Sequence, residues 1–138
     1  MSSEKKSLQQ IIEFRKEKLG ELRKNGVNPY PSSFIPEHFS KSIKINFKEF
    51  EGHNVIVAGR IMAIRRMGKA SFCQIIDKEG GIQIFLKKDD VGNNLYENFK
   101  LYDIGDFVGV KGKVFKTKTG EISIRASEII LLAKSIRP

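Results

Sequence analysis

The chain has 138 residues, 40% hydrophobic and 30% charged, with a formal net charge of +9. That size fits one domain with a sizeable core, and that composition excludes wholesale disorder. The longest apolar run, residues 129–133, is too short to span a bilayer, and one cysteine, Cys73, excludes an internal disulfide framework and fits a reducing cytosol.

Residues 1–6 lack the apolar core of a secretory signal. Residues 7–25 carry Leu8, Ile11, Ile12, Leu19 and Leu22 at helical spacing, with Ser7 and Gln10 as a capping box and Gly26 as a stop. Asn28, Pro29, Pro31, Ser32 and Ser33 break helix and strand alike. Residues 34–50 show no period that assigns them.

From residue 54 the period changes to two. Strands are expected at 54–64, 70–77, 81–88, 106–115 and 121–133, and a short helix at 94–102. Glu79-Gly80-Gly81 and Lys118-Thr119-Gly120 supply turns. Three strands, a helix, then two strands is the order of a five-stranded OB-fold barrel, an all-β barrel with helical additions. A plain antiparallel sandwich is the alternative. The expected organisation is a helical lead-in, 1–53, packed on a barrel, 54–138, as one unit.

The charge points to a partner. Up to Phe50 there are 10 basic and 6 acidic residues, and beyond it 15 and 10, so the excess is not a tail. A globally basic domain suits phosphate or another anionic surface, although a merely well-hydrated surface is the alternative.

Strand parity selects the residues. Ile82, Ile84 and Leu86 form the inward set of the third strand, leaving Gln83, Phe85 and Lys87 outward. With Cys73 and Ile75 inward, Phe72 and Gln74 face out. With Ile122 and Ile124 inward, Glu121, Ser123 and Arg125 face out, and Arg60 lies opposite Val57, Gly59 and Ile61. One face should therefore carry Phe72 and Phe85 with Gln83, Glu121, Arg60 and Arg125 around them. Aromatics beside amides and arginines hold single-stranded bases by stacking and edge hydrogen bonds. The competing reading buries both phenylalanines as core. Arg65, Arg66 and Lys69 in the first connection, and Lys116 and Lys118 in the last, place cations beside that face. His38 and His53 lack metal-ligand spacing to Cys73, and no catalytic triad or nucleotide-binding fingerprint occurs.

The strings Val57-Ala58-Gly59-Arg60-Ile61-Met62, Gly68-Lys69-Ala70-Ser71-Phe72 and Lys116-Thr117-Lys118-Thr119-Gly120-Glu121 resemble the anticodon-binding domain of class II lysyl-tRNA synthetases. The likeness runs from about Arg15 to the end and is weakest over 32–52. Aspartyl and asparaginyl relatives share the barrel but are less similar in these strings.

The resemblance implies that Phe72 stacks on the central anticodon base, Gln83 reads its edge, Glu121 accepts from the anticodon bases and Arg65 contacts a base or phosphate. Where the bacterial pattern often has two arginines before a variable residue and Met-Gly-Lys, this chain has Ile64-Arg65-Arg66-Met67. Arg60, Lys69, Phe85, Lys116, Lys118 and Arg125 are expected in support. The partner implied is the uridine-rich anticodon stem-loop of tRNA(Lys), with no membrane partner. The chain itself is expected to bind without catalysing and to hold no metal or cofactor. ATP and magnesium belong to a catalytic domain that begins, in the family, soon after a stretch like Lys134 to Pro138. The parent implied is a cytoplasmic homodimeric lysine–tRNA ligase, of which this chain alone is expected as a monomer. A general single-strand binder and a protein-interaction barrel remain the other readings of the residues.

Overall fold

The computed structural model describes residues 7–26 and 34–137. The expected break at 28–33 and the termini at 1–6 and Pro138 lie outside them.

Helix α1 covers Leu8–Lys24. Its start is the expected capping box: Gln10 N donates to Ser7 Oγ at 3.1 Å, and Ser7 N donates to Gln10 Oε1 at 2.9 Å. Ile12 and Leu22 are its buried residues. Two long-range contacts fix it. Lys18 Nζ lies 2.7 Å from Asp103 Oδ1, and Arg15 Nη1 donates to the carbonyl and hydroxyl of Ser135 at 3.3 and 3.2 Å.

The unassigned stretch 34–50 contains two short helices, α2 (Ser40–Ile45) and α3 (Phe47–Phe50). No local side chain caps α2. Instead Ser40 donates from its N and Oγ to the two oxygens of Asp77, at 2.7 and 2.8 Å. A helix start satisfied by a carboxylate 37 residues away leaves no local sequence signal.

Five strands follow: β1 (Asn54–Met67), β2 (Ala70–Asp77), β3 (Gly80–Lys87), β4 (Phe107–Lys116) and β5 (Ile122–Ala133). They close into a barrel in the order β1-β2-β3-β5-β4, the five-stranded barrel expected. All seams are antiparallel except β3–β5, which is parallel over Gln83↔Ser123, Ile84↔Ile124 and Phe85↔Arg125. Val55, Val57 and Ile61 meet Ile82, Ile84, Val110, Ile124 and Leu131 inside. Between β3 and β4 lie α4 (Lys88–Val91) and α5 (Asn93–Phe99). α5 adds Tyr96 and Phe99 to the core, with Tyr96 Oη bonded to Ser71 Oγ at 2.8 Å and donating to the Gly68 carbonyl at 2.9 Å.

β1 departs from expectation in two ways. It runs to Met67 rather than 64, pairing with β2 down to a turn at Gly68, whose φ of 67° suits glycine. Arg65 and Arg66 are therefore strand residues, not part of the connection. The β1–β2 register also shifts between Ile61 and Ala63, where Met62 forms a bulge. The extra residue inverts the alternation, so Ile61 faces in and Ala63 faces out beside Gln74.

Candidate nucleic-acid interface

Cross-strand register builds the outer face in rows. One row reads Arg65↔Phe72↔Phe85↔Arg125 across β1, β2, β3 and β5. The next reads Ala63↔Gln74↔Gln83↔Ser123 and continues to Phe115 on β4. Phe72 and Phe85 are half-buried, with ring centroids 4.9 Å apart and planes at 35°, and Phe85 lies 6.1 Å from Phe115. Neither Phe72 nor Phe85 belongs to the buried core, so the core reading fails for both.

A hollow of about 420 Å³ opens over these rows. Arg65, Phe72 and Gln83 form its floor and sides, and Glu121, Thr117 and Thr119 close it from the β4–β5 turn. The Gln83 amide has a fixed direction, because Nε2 donates to Ser123 Oγ at 3.0 Å. Ser123 in turn donates to the Glu121 carbonyl at 3.3 Å. The amide thus keeps its carbonyl oxygen and a second N–H for a ligand. Glu121 itself is exposed, and its backbone is locked by Thr117: Glu121 N donates to Thr117 Oγ1 and Thr117 N to Glu121 O, both at 2.9 Å.

Ser123, expected to be exposed, is fully buried. Its side chain lies under the Gln83 amide, on the parallel seam.

The supporting residues divide. Lys69 and Lys118 are exposed in the two turns. Arg125 is bound by Asp90, whose oxygens accept from Nε at 2.7 Å and Nη2 at 2.9 Å. Those hydrogen bonds hold the Asp90 carboxyl below the ordinary carboxylate range. Lys116 points away from the hollow, with Nζ 4.8 Å from the centroid of the Phe47 ring. Arg60 does not join the group. It lines a separate apolar hollow with Phe34, Phe39, Met62 and Phe107, and it pairs with Ile76 at the far end of β2. Arg66 is also committed elsewhere. Its Nη2 donates to the carbonyls of Phe99, Lys100 and Tyr102 at 3.4, 3.4 and 3.0 Å, holding the end of α5.

Charge drew attention to Lys116 and Lys118, yet Thr117 between them and Thr119 beyond them line the hollow. No strand period marks them, because residues 117–121 form the turn between β4 and β5. Cys73 is buried, and desolvation pushes its thiol up to about 12 against the opposing field of Arg66, which suits a core residue and not a nucleophile. Among the described residues no helix is long and apolar enough to cross a membrane.

Residues 55–132 match the family model tRNA_anti-codon, an OB-fold nucleic acid binding domain. Similar proteins include lysine–tRNA ligases of Thermoanaerobacter pseudethanolicus, 49% identical over 94% of this chain and 26% of the relative, and Moorella thermoacetica, 46% identical over 93% and 26%. The lysine–tRNA ligase of Syntrophomonas wolfei is 41% identical over 100% of this chain and 28% of its own length. The chain spans about a quarter of the length of these curated relatives.

Proposed function

The chain belongs to the tRNA_anti-codon family of OB-fold nucleic acid binding domains, and on that premise we propose that it reads the uridine-rich anticodon of tRNA(Lys). One observation carries the reading. The hollow sets an aromatic ring, an oriented amide and a carboxylate around one space large enough for a base. In this reading Phe72 supplies the stacking surface and Gln83 the edge contact. Uracil offers a donor at N3 and an acceptor at O4. The free carbonyl of Gln83 takes the donor, and its second N–H meets the acceptor. Glu121 accepts from a neighbouring base, and Arg65, beside Phe72 in register, takes a base oxygen or phosphate. Cytosine reverses both groups and leaves polar atoms unpaired, at roughly 1–3 kcal/mol each. Lys69 and Lys118 add phosphate attraction without base choice.

This chain's part in that reading is binding. Charging of the tRNA with lysine, using ATP and magnesium, falls to the remaining length of a cytoplasmic, dimeric parent. The test is titration of uridine-rich, cytidine-rich and adenine-rich anticodon stem-loops. A clear uridine preference is expected. Equal binding of all three would leave a general single-strand binder, and no binding would leave a protein-interaction barrel.

A further inference from the structure

The turn at 117–121 has two sides. One closes the base hollow with Thr117, Thr119 and Glu121. On the other, Lys116 and Ile122 join Lys44, Phe47 and Lys48 around a second hollow of about 420 Å³. Three lysines face one carboxylate there, Glu49, and Ile45 beside them is 68% exposed. The hollow is held rigidly to the barrel. Gly52 N donates to the Val114 carbonyl at 2.8 Å, Val114 N donates to the His53 carbonyl at 3.1 Å, and Glu51 bridges Val114. The end of α3 is therefore pinned to β4 two residues before Lys116.

We propose that this lysine-lined hollow is a second RNA site, which takes the sugar–phosphate backbone of the strand as it leaves the base hollow. The proposal rests on the reading of the base hollow given above. The two hollows adjoin across one turn, so a strand held by its bases in the first meets the second when it crosses that turn, and each further nucleotide carries a negative charge. Cations on its path gain affinity by displacing condensed counterions. Ile45 offers apolar ground to a ribose, while Lys44, Lys48 and Lys116, the last held over the Phe47 ring, meet the phosphates. Contacts of this kind position the strand and carry no base choice.

The test compares K44Q/K48Q with the unaltered chain and with K16Q/K24Q, which removes the same charge from exposed positions on α1. Each protein is titrated with uridine-rich and cytidine-rich anticodon stem-loops over a series of salt concentrations. K44Q/K48Q is expected to weaken binding roughly 2- to 30-fold, as the loss of two solvent-accessible ion pairs would. The slope of log affinity against log salt should fall by about one per lost phosphate contact. The uridine-to-cytidine ratio should stay unchanged, and K16Q/K24Q should lose less on both measures. Unchanged affinity and slope in K44Q/K48Q, or an equal loss in K16Q/K24Q, overturns the second site while the base hollow keeps its uridine preference. An unaltered chain that binds no stem-loop, or binds both alike, overturns the base-hollow reading and the second site with it.

Discussion

Phe72 sits where stacking and packing meet. Its ring lies against Phe85, so Phe72→Ala removes an aromatic pair as well as the proposed platform for a base. Stem-loop affinity should fall roughly 5- to 150-fold, the loss of one base–aromatic stack at ~1–3 kcal/mol. Stability should fall by only about 1–2 kcal/mol, because the ring is half-buried and not in the core. Denaturant melts beside titrations check the pair; a much larger stability loss with normal binding would refute the stacking role. Gln83→Ala should reduce the uridine-over-cytidine preference by roughly 5-fold or more, since an unpaired polar group costs at least ~1 kcal/mol. Undiminished preference in that variant would remove Gln83 from the reading. The positions of Phe72, Gln83 and Phe85 were legible because period-two alternation states which side of a strand a residue takes. Arg60 was not. Alternation says outward, but a tilted strand rotates its outward direction around a barrel, and over a 14-residue strand the two ends look to different sides.

At the scale of elements, the bulge at Met62 sets which residues of β1 meet the hollow. The side chain is 46% exposed, so Met62→Ala should leave stability and binding nearly unchanged. Deleting residue 62 removes only the extra residue, leaving Ile61 and Ala63 as neighbours that face in and out on an unbroken ladder, so Arg65 keeps Phe72 as its partner. Circular dichroism should report a retained barrel and stem-loop binding should persist in that variant; a deletion variant that folds but no longer binds would contradict this account. The bulge left no signal in the sequence, since Ile61-Met62-Ala63 alternates as plausibly one way as the other. The helices α2 and α3 were hidden for a related reason. Their support comes from Asp77 and Val114, which only the folded barrel brings near. The succession of elements along the chain and the capping box of α1 depend on neighbours in the chain, and both could be read.

The whole molecule is tied together by buried charge. Lys134 is fully enclosed, with Nζ 2.7 Å from both Asp103 Oδ2 and Asp106 Oδ2, while Lys18 of α1 reaches the other oxygen of Asp103. Burial opposes the Asp103 charge, but the hydrogen bonds from Lys134 and Lys18 outweigh it and hold its carboxyl below the ordinary 3.8. A depressed carboxyl contributes stability that is present above its unfolded pKa and lost as pH falls through its folded pKa. Stability should therefore decline below about pH 4, and Asp103→Asn should flatten that decline while lowering stability at neutral pH. The Cys73 thiol has the opposite sign. Raised from 9.0 to about 12, it contributes stability that is present below 9.0 and lost as pH climbs toward 12. Cys73→Ala should destabilise the barrel at neutral pH yet soften the loss above pH 9, the unfolded thiol's range. Denaturant midpoints across pH test both limbs; parallel curves for variant and parent would deny either residue its part.

The parallel seam between β3 and β5 spans three register positions, whereas β4 and β5 pair along nearly their whole length. A seam so short is the natural point for the barrel to unzip without unfolding, and amide hydrogens near Ile84 and Ile124 should exchange with solvent ahead of those in the centre of β4. The same three positions contain Gln83 and Ser123, so each opening takes apart the hollow over them for as long as it lasts. A stem-loop bound as proposed would span both edges and act as a suture. Its addition should slow exchange at this seam more than at any other, so the lifetime of the closed barrel and the residence time of the RNA become coupled quantities.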